Sequence, residues 1–116
     1  MKTLLFKEED IIKILKESKD TTTRQPNNQN KNLKIGDQVK AKADHGRPPF
    51  AVLEITNIYY QSLKDMKLET IKRIGFKTKK EYTQQDYNRN INPDHKKIVI
   101  EFKIIENNIT EYLEGY

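Results

Sequence analysis

The chain predicts an α+β fold: a small, highly curved mixed β-barrel of about five to six strands, flanked by two or three short helices. Three observations carry this. Near one end Ile98, Ile100, Phe102 and Ile104 alternate with Val99, Glu101 and Lys103, which is the period of a strand. Near the other end Ile11, Ile12, Ile14 and Leu15 fall at helical spacing and form one apolar stripe. Between them lie short alternating runs broken by glycine and proline. Short strands need closure or cover to hide their edges, and a curled sheet with helices at its rim supplies both.

Taken in order, Thr3 to Phe6 reads as a short strand. Glu8, Glu9 and Asp10 then place negative charge where a helix N-terminus favours it. A helix over 8–18 follows, with Lys13 and Lys16 on its polar side. Thr21 to Arg24 is the next strand. Residues 25–34 are almost entirely polar, too poor in apolar surface to offset the cost of ordering, and are expected to form a mobile loop. Gly36-Asp37 is a turn. Val39, Ala41 and Ala43 then alternate with Lys40, Lys42 and Asp44, a half-buried strand with a basic outer face. Pro48 and Pro49 confine 45–49 to a loop. Phe50 to Tyr60 is the longest strand, with Leu53 and Ile55 on one face and Glu54 and Thr56 on the other. Tyr59 and Tyr60 are a strand end, or a stacking surface for a base. Leu68, Ile71 and Ile74 suit a helix stopped by Gly75, onto which Phe76 folds back. Thr78 and Glu81 match a capping box, so a further helix starts there and carries Tyr82 and Tyr87. Residues 90–95 are a loop, and 106–116 an acidic tail.

One domain over 1–116 follows from a length of 116 residues. Hydrophobic residues make up 34% of the chain and charged residues 34%, so the core has to be economical. No stretch is apolar enough to span a membrane, and the first apolar run is too short for a signal-peptide core, so a cytoplasmic protein is expected. The lack of cysteine removes disulfides, thiolate metal sites and cysteine nucleophiles. His45 and His95 lack metal-ligand spacing, so neither a metal nor a cofactor is expected. A net charge of +5 favours a phosphate-bearing partner.

The stretch that promises chemistry is Glu17-Ser18-Lys19-Asp20-Thr21-Thr22-Thr23-Arg24, where the helix gives way to a strand. In an extended segment Thr22 and Arg24 point one way, and Thr21 and Thr23 the other. Lys19 joins Thr22 and Arg24 only if it belongs to the turn before the strand. A cation, a hydroxyl and a guanidinium then line one pocket suited to a phosphate, a carboxylate or a polar base edge. The plainer reading is a solvated turn followed by a Thr-rich strand.

This stretch resembles the pattern Gly-x-Lys-x-x-Thr-x-Arg of the ASCH domain, a family grouped with the PUA-like β-barrels, with Glu17 in place of the opening glycine. Gly36-Asp37 is similar to the family's Gly-Asp before a strand. Leu63-Lys64-Asp65-Met66-Lys67, the helix end Ile74-Gly75-Phe76 and the strand Val99-Ile100-Glu101-Phe102 also resemble family landmarks, in the same order along the chain. The resemblance implies an RNA- or nucleotide-binding module, with Lys19, Thr22 and Arg24 as the ligand site and Lys40, Lys42 and Arg47 extending a basic surface.

It also implies two alternatives. One is a small hydrolase, either an amidohydrolase on acetylated cytidine or a ribonuclease, with Lys19 and Thr22 in the catalytic roles. In the amidohydrolase type these act with a glutamate just before the Gly-Phe position. Here that position is Ile74, which moves no proton. A missing catalytic acid typically costs ~10²–10⁴-fold in rate. Glu69 projects elsewhere, leaving Glu54 or another carboxylate as the only substitute. The other alternative is a partner-binding protein with a degenerate site, in which Lys19 and Arg24 serve internal ion pairs.

Overall fold

The structure, a computed structural model, describes residues 1–27, 30, 32–85, 88, 89 and 91–115. Five strands form one mixed sheet in the order β1-β3-β4-β5-β2. They are β1 (Lys2–Leu5), β2 (Thr21–Arg24), β3 (Gln38–Lys42), β4 (Ala51–Ser62) and β5 (Lys96–Asn107). Four short helices accompany them among the described residues: α1 (Asp10–Leu15), α2 (Leu68–Ile74), α3 (Lys79–Thr83) and α4 (Ile109–Glu114). β1 runs parallel to β3, and the other pairs are antiparallel.

The frame is the long β4–β5 pair, which runs from Ala51 opposite Asn107 to Ser62 opposite Lys96. Its register shifts between Val52 and Leu53 and between Ile55 and Asn57. Such irregularities bend a strand and increase its twist. In a flat sheet four steps of ~4.8 Å would hold β1 and β2 about 19 Å apart. Yet the Arg24 guanidinium, on β2, lies 4.9 Å from the ring centroid of Phe6, the residue after β1. The sheet is therefore strongly curled and its two outer strands face a common hollow. Among the described residues no strand pairing joins β1 to β2.

Alternation on β5 decides the two cores. Ile98, Ile100 and Phe102 enter the curl with Phe6, Ile11, Ile14 and Phe50. Val99 points outward to Leu63, Met66, Ile71, Ile74 and Tyr82, on and around α2 and α3. Both faces of β5 are thus covered. Inside the curl, Phe6 packs edge-on against Phe50 and Phe102 with centroids 6.2 and 6.0 Å apart.

Three expectations change. The first helix is shorter than 8–18, and Ile12 leaves its apolar stripe, being 62% exposed while Ile11 and Ile14 are buried. At about 100° per residue, Ile14, Ile11 and Leu15 fall within one stripe against the main core and Ile12 lies beyond its edge. The acidic tail is structured as far as it is described: β5 continues to Asn107, and α4 follows. Tyr112 on α4 is buried edge-on against Phe50 at 6.3 Å. At the end of the polar 25–34 segment, which is described only in part, Leu33 is buried in the main core and the Asn32 carbonyl accepts from Lys2 Nζ at 2.7 Å. Asn28, Gln29 and Lys31 of that segment, and Tyr87, lie outside the described residues. The capping box is half as expected. Thr78 Oγ1 accepts from the Glu81 N–H at 3.1 Å, but the Glu81 carboxylate accepts from the Lys77 N–H at 3.2 Å.

The ends of α1 and α2 are built alike. After α1, Glu17 N–H donates to the Ile14 carbonyl and Ser18 N–H to the Lys13 carbonyl. After α2, Gly75 N–H donates to Lys72 and Phe76 N–H to Ile71. Both are Schellman turns, which place one residue in the left-handed region. Gly75 does so at φ +114°, and Glu17 does so at φ +62°. Glu17 is the position where the ASCH pattern has glycine, and the reason is now visible. A side chain there costs roughly 1–2 kcal/mol.

Two stability predictions follow from these contacts. Glu17→Gly should stabilise the fold by about 1 kcal/mol, read as a higher denaturation midpoint; a lower midpoint would contradict the strain. Tyr112→Ala should cost about 3 kcal/mol, and an unchanged midpoint would show that α4 is not part of the core.

Candidate functional site

A cavity of about 400 Å³ opens where the end of β1, the start of α1, the edge strand β2 and the end of α2 meet. Lys19, Thr22 and Arg24 all line it. Lys19 belongs to the turn before β2, as convergence requires. Its N–H and that of Ser18 both donate to the Lys13 carbonyl, which folds the chain back before Asp20 joins the sheet. Thr22 and Arg24 share a face opposite Ile100 and Ile98. Arg24 Nε–H donates to Thr22 Oγ1 at 3.3 Å while its guanidinium lies over Phe6.

Lys19 is 5% exposed, and its Nζ–H donates to the main-chain carbonyl of Ile74 at 2.5 Å. The position held by a glutamate in the amidohydrolase pattern therefore contributes a backbone oxygen, while the isoleucine side chain is buried in the outer core. Burial lowers the Lys19 ammonium from the usual 10.5 to about 8. The Asp10 carboxylate opposes this, while Arg24 and Lys13 add to it. Next to Lys19, Asp20 clamps the same junction. Arg73 on α2 donates to both Asp20 carboxylate oxygens, at 2.8 and 3.2 Å, and meets Glu101 of β5 at 3.2 Å. Chiefly because of the Asp20 hydrogen bond, the Arg73 guanidinium is held charged more firmly than usual. Asp20 N–H also donates to the Arg73 carbonyl. α2 is thus fixed to the start of β2 by side chain and main chain together.

The other face of β2 contributes as well. Thr23 lines the cavity, and its hydroxyl is hydrogen-bonded to the buried Tyr82 hydroxyl. Burial raises the Tyr82 phenol above its usual range. Lys97, one residue into β5, also lines the cavity. It is 2% exposed, donates to Asn88 Oδ1 and sits 5.7 Å from the centroid of the Tyr82 ring. Burial lowers its ammonium to about 8. Lys7, Glu9 and Asp10 bring charge from the chain before α1 and its first turn, and Phe6 and Phe76 bring aromatic surface.

Sequence reasoning reached Lys19, Thr22 and Arg24 but missed Lys97, Lys7 and Thr23. Alternation places Lys97 with Val99 on the outward face of β5, yet nothing local separates it from Lys96. Lys40, Lys42 and Arg47, expected to extend the basic surface of the site, do not line the cavity. Lys40 is exposed on β3 and Lys42 lies opposite Leu5. The Arg47 guanidinium stacks 4.2 Å from the centroid of Tyr112 on α4. Glu54 is paired with Lys103 at 3.2 Å and Glu69 is exposed; neither lines the cavity, whereas Glu9 and Asp10 do. Tyr59 packs on the outer core and Tyr60 is exposed, both away from the cavity. No group of three or more metal-ligating side chains occurs among the described residues, and no helix among them is long and apolar enough to cross a membrane.

No protein-family model and no curated protein sequence matches the chain. Solved structures do. The ASCH domain from Lactobacillus crispatus superposes with a TM-score of 0.64 at 17% identity, over 81% of this chain and 69% of that one. ASCH from Zymomonas mobilis matches with a TM-score of 0.63 at 13% identity, over 97% of this chain and 75% of that one. The hypothetical protein PH0355 matches with a TM-score of 0.66 at 24% identity, over 90% of this chain and all (100%) of that one. The chain therefore has the ASCH fold expected from its motifs.

The two buried lysines make stability depend on pH. Each ammonium titrates near 8 when folded and near 10.5 when unfolded. Between those values the unfolded chain binds more protons, so stability rises with pH; below about 8 both states are protonated and the contribution is flat. Urea unfolding followed from pH 7 to 10.5 should show this rise, reduced in Lys19→Met and Lys97→Met. A rise of equal size in both variants would show that other groups cause it.

Proposed function

We propose, from the ASCH fold and the chemistry of its cavity, that this protein binds a nucleotide or a segment of RNA there and is non-catalytic or at most weakly catalytic. The observation that carries the reading is the convergence of Lys19, Thr22 and Arg24 on one hollow that also presents Lys97, Phe6 and Phe76. Cations and hydroxyls suit phosphate oxygens and base edges, and aromatic rings suit base faces. The volume falls in the ~300–1,000 Å³ range of small-molecule sites. Ile74 supports the weak-catalysis half, since its side chain supplies no acid at the position where the amidohydrolase pattern needs one.

Binding of a fluorescent single-stranded RNA should weaken steeply with added salt, as phosphate contacts require. Arg24→Ala should weaken it at least ~10-fold, the scale of a lost charged hydrogen bond. Lys19→Met should act in the same direction. Binding indifferent to both substitutions would remove the cavity as the site.

A second reading, hydrolysis, is favoured by one arrangement. A lysine whose ammonium titrates near 8 shares the cavity with Thr22, whose oxygen accepts from the Arg24 guanidinium. The neutral amine of Lys19 would take the Thr22 hydroxyl proton, the guanidinium would favour the resulting alkoxide as it attacks the substrate, and the Lys19 ammonium so formed would give that proton to the leaving group. Turnover of acetylcytidine or RNA by the wild type, lost in Thr22→Ala, is the expected result. No turnover by pure protein at high concentration would eliminate it.

A further inference from the structure

The cavity does not end at Phe76. Next to this residue lies a second hollow, lined by Lys13, Ser18, Lys72, Gly75, Phe76 and Lys77. Phe76 belongs to both hollows. The second carries three lysines and no carboxylate among its described lining residues, whereas the cavity mixes its cations with Glu9 and Asp10. A third hollow shares Leu5 and Phe6 with the cavity and is lined also by Glu8 and Asp44 beside His45 and Arg47. A polyanion that reaches the second hollow meets three lysines, with the Glu81 carboxylate beside Lys77, whereas the third mixes Glu8 and Asp44 with Arg47.

We propose that the Lys13–Lys72–Lys77 groove carries the backbone phosphates of a single-stranded nucleic acid, one nucleotide of which occupies the cavity. This rests on the nucleotide-binding reading of the cavity and names its partner as a strand rather than a free mononucleotide. Two features support it. The groove lies at the C-terminal ends of α1 and α2; helix-end carbonyls repel phosphate, but at α2 the Ile74 and Gly75 oxygens are covered. Lys13 Nζ–H donates to the Gly75 carbonyl at 3.3 Å and Lys19 Nζ–H to that of Ile74. Phe76, half-buried, stands at the junction with its ring against Tyr82 at 5.3 Å and the Lys13 ammonium at 5.6 Å. A basic track with an aromatic step is how proteins hold single strands without reading their sequence. An acidic peptide would satisfy the lysines but would make no use of the ring beside the cavity.

The test measures binding of a nucleoside monophosphate and of a single-stranded RNA of about eight nucleotides over a range of salt. The wild type should bind the oligonucleotide at least ~10-fold more tightly at low salt, with a steeper salt dependence. In the Lys13→Ala/Lys72→Ala/Lys77→Ala variant the slope of log affinity against log salt should fall by about 2, at ~0.7 per lost phosphate contact, while mononucleotide binding stays unchanged. A Lys72→Ala/Lys77→Ala variant keeps the Lys13 bond to Gly75 and should lose about 1.4 of slope, which guards against misfolding as the cause. Equal affinity for the two ligands, an unchanged slope in either variant, or equal competition by polyglutamate would overturn the groove and leave the cavity reading standing. Failure of both ligands to bind, or binding that ignores Lys19→Met and Arg24→Ala, would remove both.

Discussion

The bond from the buried Lys19 ammonium to the Ile74 carbonyl is the contact on which the site depends. Two helices end at the same place, each in a Schellman turn, and helix ends leave carbonyls without partners. A carbonyl buried without a donor costs roughly 1–3 kcal/mol. Lys19 answers that need at α2, and Lys13 answers it one residue later at Gly75. Lys19 in turn loses water and titrates far below an ordinary lysine. Neither burial is favourable alone, and each makes the other tolerable. Because the amine is bonded to α2 while its backbone belongs to the turn before β2, the bond also sets where the edge strand lies relative to the helix. The Arg73–Asp20 clamp holds the same two elements from outside.

The cavity follows from how the sheet is closed. A flat sheet would leave β1 and β2 as distant edges; the curled one brings Phe6 and Arg24 into contact. The seam between these strands is lined from both faces of β2. Thr22 and Arg24 come from inside the curl, and Thr23 from the side that Lys97 and Tyr82 share. A site at such a seam gathers cations that are far apart in sequence, and it gathers them with little water. That is a good environment for holding phosphate oxygens, since hydrogen bonds from charged donors are the strong ones. Proton transfer at position 74 is another matter, because a backbone carbonyl accepts hydrogen bonds but supplies no proton.

Much of the fold was legible locally. The period-2 run of β5 is legible because its inner face is apolar at Ile98, Ile100 and Phe102 while its other face, after Val99, carries Glu101 and Lys103. Gly75 and Thr78 act through backbone rules that need no tertiary context. Glu17 was legible only as a departure from the ASCH pattern, and its left-handed backbone gives the departure a physical meaning. Local pattern misled where a partner element decided the outcome. Ile12 reads as core but faces solvent, and the acidic tail hides a helix anchored by Tyr112.

The sequence by itself determined the five strands and the first three helices, that Lys19, Thr22 and Arg24 are able to converge, and that no acid stands at position 74. These are matters of periodicity, spacing and side-chain chemistry, all carried within a few residues. Only the tertiary structure decided that Lys97 joins them, that Lys40, Lys42 and Arg47 lie elsewhere, and that Ile74 holds Lys19 through its backbone. Those outcomes depend on how far the sheet curls and where α2 docks, which are set by packing between residues tens of positions apart.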